Sequence, residues 1–270
     1  MGSAQFEELV AGLSGDRPPR VWSLLVTIFG ELAQEEDARI SSALILHLSD
    51  IIGLKPEAVR VALHRLRKDG WIESRRRGRN SDYVLTGWGR AQSMAASPRI
   101  YATAPLAERA SLAIFEPGSE TETAPDGAWI SPNLLLTSQA VDAGGALTFA
   151  VTEATALPGW MRARLCDEET VLRARRLLQA LGHVAQRAEA MTRLNPCETA
   201  ALRVLVVHDW RRIVLKLPAL PDFVFPEEMP LTRCREETAR LLQRLRKQDL
   251  GNLERAIGGD DMPRDRVETG

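Results

Sequence analysis

The chain has 270 residues, of which 44% are hydrophobic and 26% charged, and its formal net charge is −1. This is the composition of an ordinary soluble globular protein, and the length allows two or three domains. No apolar run is long enough for a membrane span and no secretory leader is visible. The three cysteines (Cys166, Cys197, Cys234) suit neither a disulfide framework nor a zinc site. We therefore expect a cytoplasmic protein with no membrane contact and no bound metal.

Two amphipathic helices are expected at the N-terminus. In the first, over residues 4–13, apolar side chains recur at helical spacing, and the Gly- and Pro-containing stretch 14–20 ends it. The apolar face of the second helix is formed by Val21, Leu24, Leu25, Ile28 and Leu32. We assign residues 1–20 to an N-terminal helix and linker, and the second helix to the scaffold of the module that follows.

The next two elements have the pattern of a helix-turn-helix. Ser41 can cap a helix that ends at Gly53, and Pro56 suits the first position of a second helix of about 14 residues. The inward positions of the first helix are Leu44, Leu48, Ile51 and Ile52. Those of the second are Val59, Ala62, Leu63 and Leu66, at i, i+3, i+4 and i+7. Gly70 then ends the second helix, as a left-handed residue can.

A basic hairpin follows the second helix. Trp71 and Ile72 begin a short strand, Tyr83 to Leu85 form a second, and the segment from Arg75 to Ser81 is the expected tip. Helix, strand, hairpin and strand in this order predict a winged helix-turn-helix over residues 21–95. Residues 55–90 hold ten Lys/Arg against four Asp/Glu, a net charge of +6 in a chain that is nearly neutral. Such a concentration of positive charge favours a polyanionic partner, here double-stranded DNA.

We expect the second helix to enter the major groove. Arg60 can hydrogen-bond guanine, Glu57 can accept from cytosine, and Val61 is placed for a thymine methyl. The full set of expected DNA-binding residues is Ser41, Ser42, Lys55, Glu57, Arg60, Val61, His64, Arg67, Lys68, Arg75, Arg76, Arg77, Arg79 and Asn80. Two simpler alternatives stay open: Glu57 caps the helix and makes no base contact, and His64 is a surface residue without a role in binding.

The second half of the chain changes character twice. Residues 96–165 contain four short strand-like pieces, at 111–115, 128–130, 134–137 and 146–152, with a turn expected at 142–145, and predict a small α+β middle domain. Residues 166–257 are helical in pattern, with apolar stripes that include Val171, Trp210 and Leu241. The tail 258–270 lacks apolar residues to bury and is expected to be disordered.

No catalytic constellation is visible, so we do not expect an enzyme or a bound cofactor. Phosphate-binding Gly-rich loops, nucleophile elbows and metal-ligand spacings of His and Cys are all missing from the sequence. One local cluster stands out at His208, Arg211 and Arg212, which lie opposite the apolar stripe of their helix. These three side chains are expected to face solvent, a partner or an anionic ligand, and of the possible roles the pattern favours a structural or salt-bridging one.

The N-terminal motifs resemble those of the PaaX family of bacterial regulators, the phenylacetate-degradation repressors. The resemblance is carried by Val21-Trp22-Ser23-Leu24-Leu25, Gly53-Leu54, Val59-Arg60, Asp69-Gly70-Trp71, Arg75-Arg76 and Gly78-Arg79, with a weaker echo at His208-Asp209-Trp210-Arg211-Arg212. It implies a winged-helix head, a ferredoxin-like middle domain and a helical C-terminal domain. It also implies a homodimeric repressor that an aryl-acetyl-CoA or related acyl-CoA effector, such as phenylacetyl-CoA, releases from its operator.

The effector half departs from that family pattern. The acidic loop 116–126 stands where the first middle-domain helix is expected, and Lys216-Leu217-Pro218 and Met229-Pro230-Leu231 replace two family motifs. For a dimer on half-sites about 34 Å apart, the candidate interface helices are 167–194 and 231–250. Two other function classes stay open: a winged-helix protein-interaction module without DNA binding, and an acyl-CoA-handling enzyme with a fused head.

Overall fold

The computed structural model describes residues 4–13, 20–77, 80–117, 126–141 and 145–259. Helices and two antiparallel sheets make up these residues, which confirms the α+β class. The helices are α1 (Ala4–Leu13), α2 (Val21–Leu32), α3 (Ser42–Ile51), α4 (Pro56–Lys68), α5 (Gly87–Ile100), α6 (Gly159–Leu165), α7 (Glu168–Gln186), α8 (Ala188–Thr192), α9 (Pro196–Val214), α10 (Leu231–Arg244) and α11 (Leu250–Gly259). The strands are β1 (Ile40–Ser41), β2 (Ile72–Arg77), β3 (Asn80–Leu85), β4 (Ala110–Phe115), β5 (Gly127–Ser131), β6 (Leu134–Thr137) and β7 (Ala146–Val151).

The chain divides into two compact units. The first comprises the described parts of Met1–Ser97, His183–His208 and Leu241–Gly270, and the second those of Pro98–Gly182 and Asp209–Arg240. The expected boundary after residue 95 falls inside α5, and residues of the expected helical segment 166–257 occur in both units. The two compact units therefore do not coincide with the expected domains, and the expected domain boundaries stay a prediction.

In the first unit, α3 and α4 form the expected helical pair. Ser41 caps α3, since its Oγ accepts a hydrogen bond of 3.0 Å from the Leu44 N–H. Gly53 and Gly70 end the two helices with φ of +87° and +74°, a conformation that costs glycine little. The expected inward residues of both helices are buried, and α4 packs against α2. The helical stripe thus determines which face of α4 is left for solvent.

The basic hairpin is longer than expected. We expected strands only around residues 71–72 and 83–85, whereas β2 and β3 stay paired from Ile72↔Leu85 to Arg77↔Asn80, and Trp71 precedes the strand. The ladder continues because cross-strand backbone hydrogen bonds form whatever the charge of the side chains. β1 adds a third strand, so that the sheet order is β1-β3-β2.

Segments from the C-terminal half complete the first unit. Arg203 of α9 forms a buried ion pair of 2.5 Å with Glu31 of α2 and also donates to the carbonyl oxygens of Leu242 and Leu245, at 2.8 Å each. α11 packs against α3, with Leu253 fully buried. We expected one helix over 231–250, but α10 ends at Arg244 and α11 is a separate helix. Of the tail expected to be disordered, residues 260–270 lie outside the described residues.

The second unit contains a four-stranded antiparallel sheet of order β5-β6-β4-β7. All four strand-like pieces expected from the sequence are strands, and Ala113, Phe115 and Leu135 form a small core on one face. Residues 142–144 of the expected turn and residues 118–125 of the acidic loop lie outside the described residues. The ferredoxin-like assignment stays a prediction, because the described residues between β4 and β5 and between β6 and β7 contain no helix.

Candidate nucleic-acid interface

One face of α4 is exposed and carries the predicted base-contacting side chains. Glu57, Arg60 and His64 are exposed, and Val61 between them is 70% exposed. The opposite face is buried in the first unit. Single exposed apolar side chains are common on protein surfaces, so Val61 by itself does not indicate a partner. Its position among exposed polar residues leaves one apolar group on this face that a partner can contact.

The positive charge near α4 is only partly neutralised within the chain. Arg60 lies 3.8 Å from Glu57, Arg65 lies 3.5 Å from Asp69, and Arg75 lies 2.9 Å from Glu73. All six side chains are at least 38% exposed, and ion pairs between such exposed groups contribute little free energy. Among the described residues, no ion pair joins Arg67, Lys68 or Arg76 to a carboxylate. The surface therefore keeps cations that a polyanion can engage.

The hairpin presents its arginines from a strand. Arg75 and Arg76 are exposed on β2, a strand that contacts α4. The backbones of Arg77 and Asn80 close the described ladder, but their side chains lie outside the described residues, as does all of Arg79. We expected residues 75–81 to form the tip of the hairpin. Instead, strand pairing fixes Arg75 and Arg76.

The residues at the helix ends divide into two groups. Lys55 precedes α4 and is exposed, so it remains available as a phosphate contact. Ser41 and Ser42 at the start of α3 are partly buried. Both polar hydrogens of Ser41 are already used, since its N–H and its Oγ–H donate at 2.8 Å to the two carboxylate oxygens of Glu254 in α11. This contact between distant parts of the chain was not expected from the sequence.

An aromatic cluster at the base of the hairpin was also missed. The rings of Trp22, Trp71 and Trp88 meet edge to face, with centroids 5.9 and 5.0 Å apart, and the guanidinium of Arg65 lies 5.9 Å from the centroid of the Trp22 ring. The cluster joins the start of α2, the end of α4 and the start of α5. The only sequence signal for it was three tryptophans near the ends of elements: Trp22 in the first turn of the second expected helix, Trp71 at the expected start of the hairpin, and Trp88 just after the hairpin. Edge-to-face contacts of this kind stabilise the region where α2, α5 and the base of the hairpin meet.

The predicted orientation of His208 is wrong. His208 is fully buried, and its Nδ1 lies 3.1 Å from Oγ1 of Thr27 in α2. The helical-wheel argument assumed that α9 has one apolar face and one polar face. Because α9 is covered on most sides in the first unit, a polar residue opposite the apolar stripe is also enclosed.

In the second unit, Arg211 and Arg212 of α9 are partly buried beside charged groups. Burial, with a smaller contribution from the neighbouring charge of Arg212, lowers the pKa of the Arg211 guanidinium to about 10. Burial also raises the pKa of the Asp209 carboxyl to about 6, although Arg212 and Arg173 act in the opposite direction. Charged groups shifted by burial in this way are common at ligand sites and in structural ion-pair networks alike.

Within the described residues, no three His, Cys, Asp or Glu side chains converge in a way that could hold a metal ion. Nor does any helix among them combine the length and the apolar character needed to cross a membrane.

Comparison with known proteins connects both halves of the chain to one family. Residues 20–89 match the model of the PaaX-like protein family, and residues 168–251 match that of the PaaX-like protein C-terminal domain. The transcriptional repressor PaaX of Escherichia coli (strain K12) is 26% identical over 257 residues, covering 83% of this chain and 79% of that protein. The uncharacterized protein Rv0674 from Mycobacterium tuberculosis aligns in structure with a TM-score of 0.44 and 13% identity, over 85% of this chain and 98% of that one. By its two matched domains, which together span more than half of its length, the chain belongs to the PaaX family.

Proposed function

We propose that this protein is a transcriptional regulator that binds double-stranded DNA sequence-specifically through a winged helix-turn-helix. The observation that carries the proposal is the exposed face of α4, where Arg60, Val61 and His64 stand out of the core, together with the exposed arginines of β2. A helix about 20 Å long with one polar, basic face has the dimensions of the major groove. Membership of a family that includes a named transcriptional repressor supports the same role.

In this proposal α4 specifies sequence and the hairpin positions the protein. Arg60 donates two hydrogen bonds to guanine, and Val61 contacts a thymine methyl group. The ion pair between Arg60 and Glu57 is long and exposed, so its loss on DNA binding costs little free energy. Arg75 and Arg76 lie along phosphates or reach into the neighbouring minor groove. Lys55 contacts a phosphate of the DNA backbone next to the N-terminus of α4.

The test is fluorescence anisotropy of the full chain with two labelled duplexes, one from the DNA upstream of its own gene and one of random sequence. The proposal predicts binding to both at low salt and tighter binding to the upstream duplex. Binding to neither duplex would contradict it. Equal binding to both duplexes would contradict sequence specificity and would leave only non-specific binding through phosphate contacts.

We further propose that the protein is a homodimeric repressor controlled by an acyl-CoA thioester. The repressor role comes from the named relative, and the effector class from the family resemblance. Arg211 and Arg212 are the residues that we assign to the anionic part of the effector, because an anion would offset the cost of holding two neighbouring cations partly buried. A ligand that binds the folded state raises its melting temperature. Phenylacetyl-CoA should therefore raise the melting temperature, and acetyl-CoA should raise it less. An Arg211→Ala, Arg212→Ala variant should lose the shift with both thioesters, because both share the anionic part.

The main alternative is a winged-helix module that binds another protein. The exposed Val61 alone would fit it, but the cations around Val61 favour an anionic partner. The same anisotropy measurement separates the two functions, since a protein-binding module has no affinity for random duplex DNA.

A further inference from the structure

The contact between Glu254 and Ser41 places an acidic side chain at the beginning of α3. One carboxylate oxygen accepts the Ser41 N–H and the other accepts the Ser41 Oγ–H, both at 2.8 Å. The same Oγ also accepts the Leu44 N–H at 3.0 Å. Ser41 therefore has no polar hydrogen left for another acceptor while Glu254 is bound.

This part of the head lies beside the basic hairpin. In the three-stranded sheet Ser41 is paired with Asp82, and Asp82 is paired with Arg75. Neighbouring strands are about 4.8 Å apart, so the backbones of Ser41 and Arg75 are about 10 Å apart across the sheet. In helix-turn-helix proteins the first helix crosses the DNA backbone, and a helix N-terminus attracts phosphate through its free N–H groups and its dipole.

Glu254 is held in place by its own helix. Leu253, the preceding residue, is fully buried, and α11 packs against α3 within the first unit. A carboxylate and a phosphodiester both carry negative charge and offer two acceptor oxygens. Both bind N–H and O–H donors by charge-assisted hydrogen bonds, so they compete for the same pair of donors.

We propose that Glu254 is an intramolecular competitor of DNA, occupying the position at Ser41 that a backbone phosphate takes in the complex. The proposal rests on the proposed DNA-binding function. DNA binding then requires Glu254 to leave Ser41, and the C-terminal helix α11 lowers the affinity of the head for every duplex. A change that loosens α11 strengthens DNA binding.

The decisive variant is Glu254→Gln, which keeps the size of the side chain and removes its charge. Its control is Glu236→Gln, which changes the net charge equally at an exposed position of α10. Anisotropy titrations with random duplex DNA should show Glu254→Gln binding about tenfold more tightly than the wild type. Glu236→Gln should change the affinity less than twofold. Equal affinities for the two variants, or weaker binding by Glu254→Gln, would overturn the proposal.

A measurement on the wild type covers the case in which Glu254→Gln fails to fold. Hydrogen–deuterium exchange of α11 should become faster when DNA is added, because displaced Glu254 no longer anchors the helix to Ser41. Unchanged or slower exchange of α11 in the complex would contradict the competition. A wild-type protein that binds no DNA would instead remove the proposed function itself, so the two failures are distinguishable.

Discussion

α4 and α9 both carry arginines on amphipathic sequences, but the structure uses them differently. On α4 the apolar stripe is buried and the arginines are exposed, so their charges are free for a partner. On α9 nearly every position is covered: Trp210 is fully buried, and the charged groups at Asp209 and Arg211 have shifted pKa values. The difference shows that the surroundings of a helix, more than its own pattern, decide whether its charged residues can serve as a binding surface.

The largest effect should come from Trp210→Ala on α9. The indole is fully buried and its Nε1–H donates to the carbonyl oxygen of Ile100 at 2.9 Å. Removing it should lower the free energy of unfolding by about 3–5 kcal/mol. Urea denaturation measures this change. The control is Val61→Ala on α4, which is expected to leave stability almost unchanged. If both substitutions cost the same, the contrast between the helices is wrong.

The next effect is the pH dependence that Asp209 gives the stability. Burial raises its pKa from 3.8 to about 6, so the folded state binds this proton more tightly than the unfolded state does. The contribution is fully present below about pH 4 and is lost as the pH rises to about 6, amounting to at most about 3 kcal/mol. Asp209→Asn should flatten the stability profile in that window. An unchanged profile in the variant would show that Asp209 does not titrate there.

A smaller effect is expected for Arg60→Ala on α4. It should weaken binding to the cognate operator by about 1–3 kcal/mol and relax discrimination at one base pair, with little change in thermal stability. Arg65→Ala is the matched control, because Arg65 is on the same helix and similarly exposed, but packs over Trp22. Anisotropy on cognate and single-mismatch duplexes compares them. Uniform weakening on all duplexes would exclude base contact by Arg60.

The smallest effect is that of a single phosphate contact. Arg76→Ala should reduce the slope of log affinity against log salt by about 0.9. The same substitution at Arg176, exposed on α7, should leave the slope unchanged. Titrations at four salt concentrations are enough to measure the slope. A slope that Arg76→Ala does not change would remove Arg76 from the interface.

The head was predictable because its information is local. The caps at Ser41 and Pro56, the glycines 53 and 70, and the stripe from Val59 to Leu66 each determine structure within a few residues. The four strands of the middle sheet were equally predictable from alternation and turn residues. The length of the basic hairpin was not, since arginines are a poor strand signal even when the backbone stays paired.

The long-range contacts could not be predicted from the sequence. Neither the pairing of Glu254 with Ser41 nor the burial of His208 against Thr27 leaves a pattern in the residues nearby, because each joins elements that are far apart in the chain. The helical wheel of α9 gave the correct inner face but could not show that its outer face is also covered. These contacts depend on the packing of elements, which only the structure supplies.

The most direct test of the central claim is photo-crosslinking from α4 to DNA. A photoreactive amino acid is placed at Val61, which is 70% exposed, and in a control variant at Met94 of α5, which is 58% exposed. With a duplex from upstream of the gene, position 61 should crosslink to bases and position 94 should not. Equal crosslinking from both positions, or none from position 61 under conditions where the duplex is bound, would contradict the assignment of α4 to the major groove.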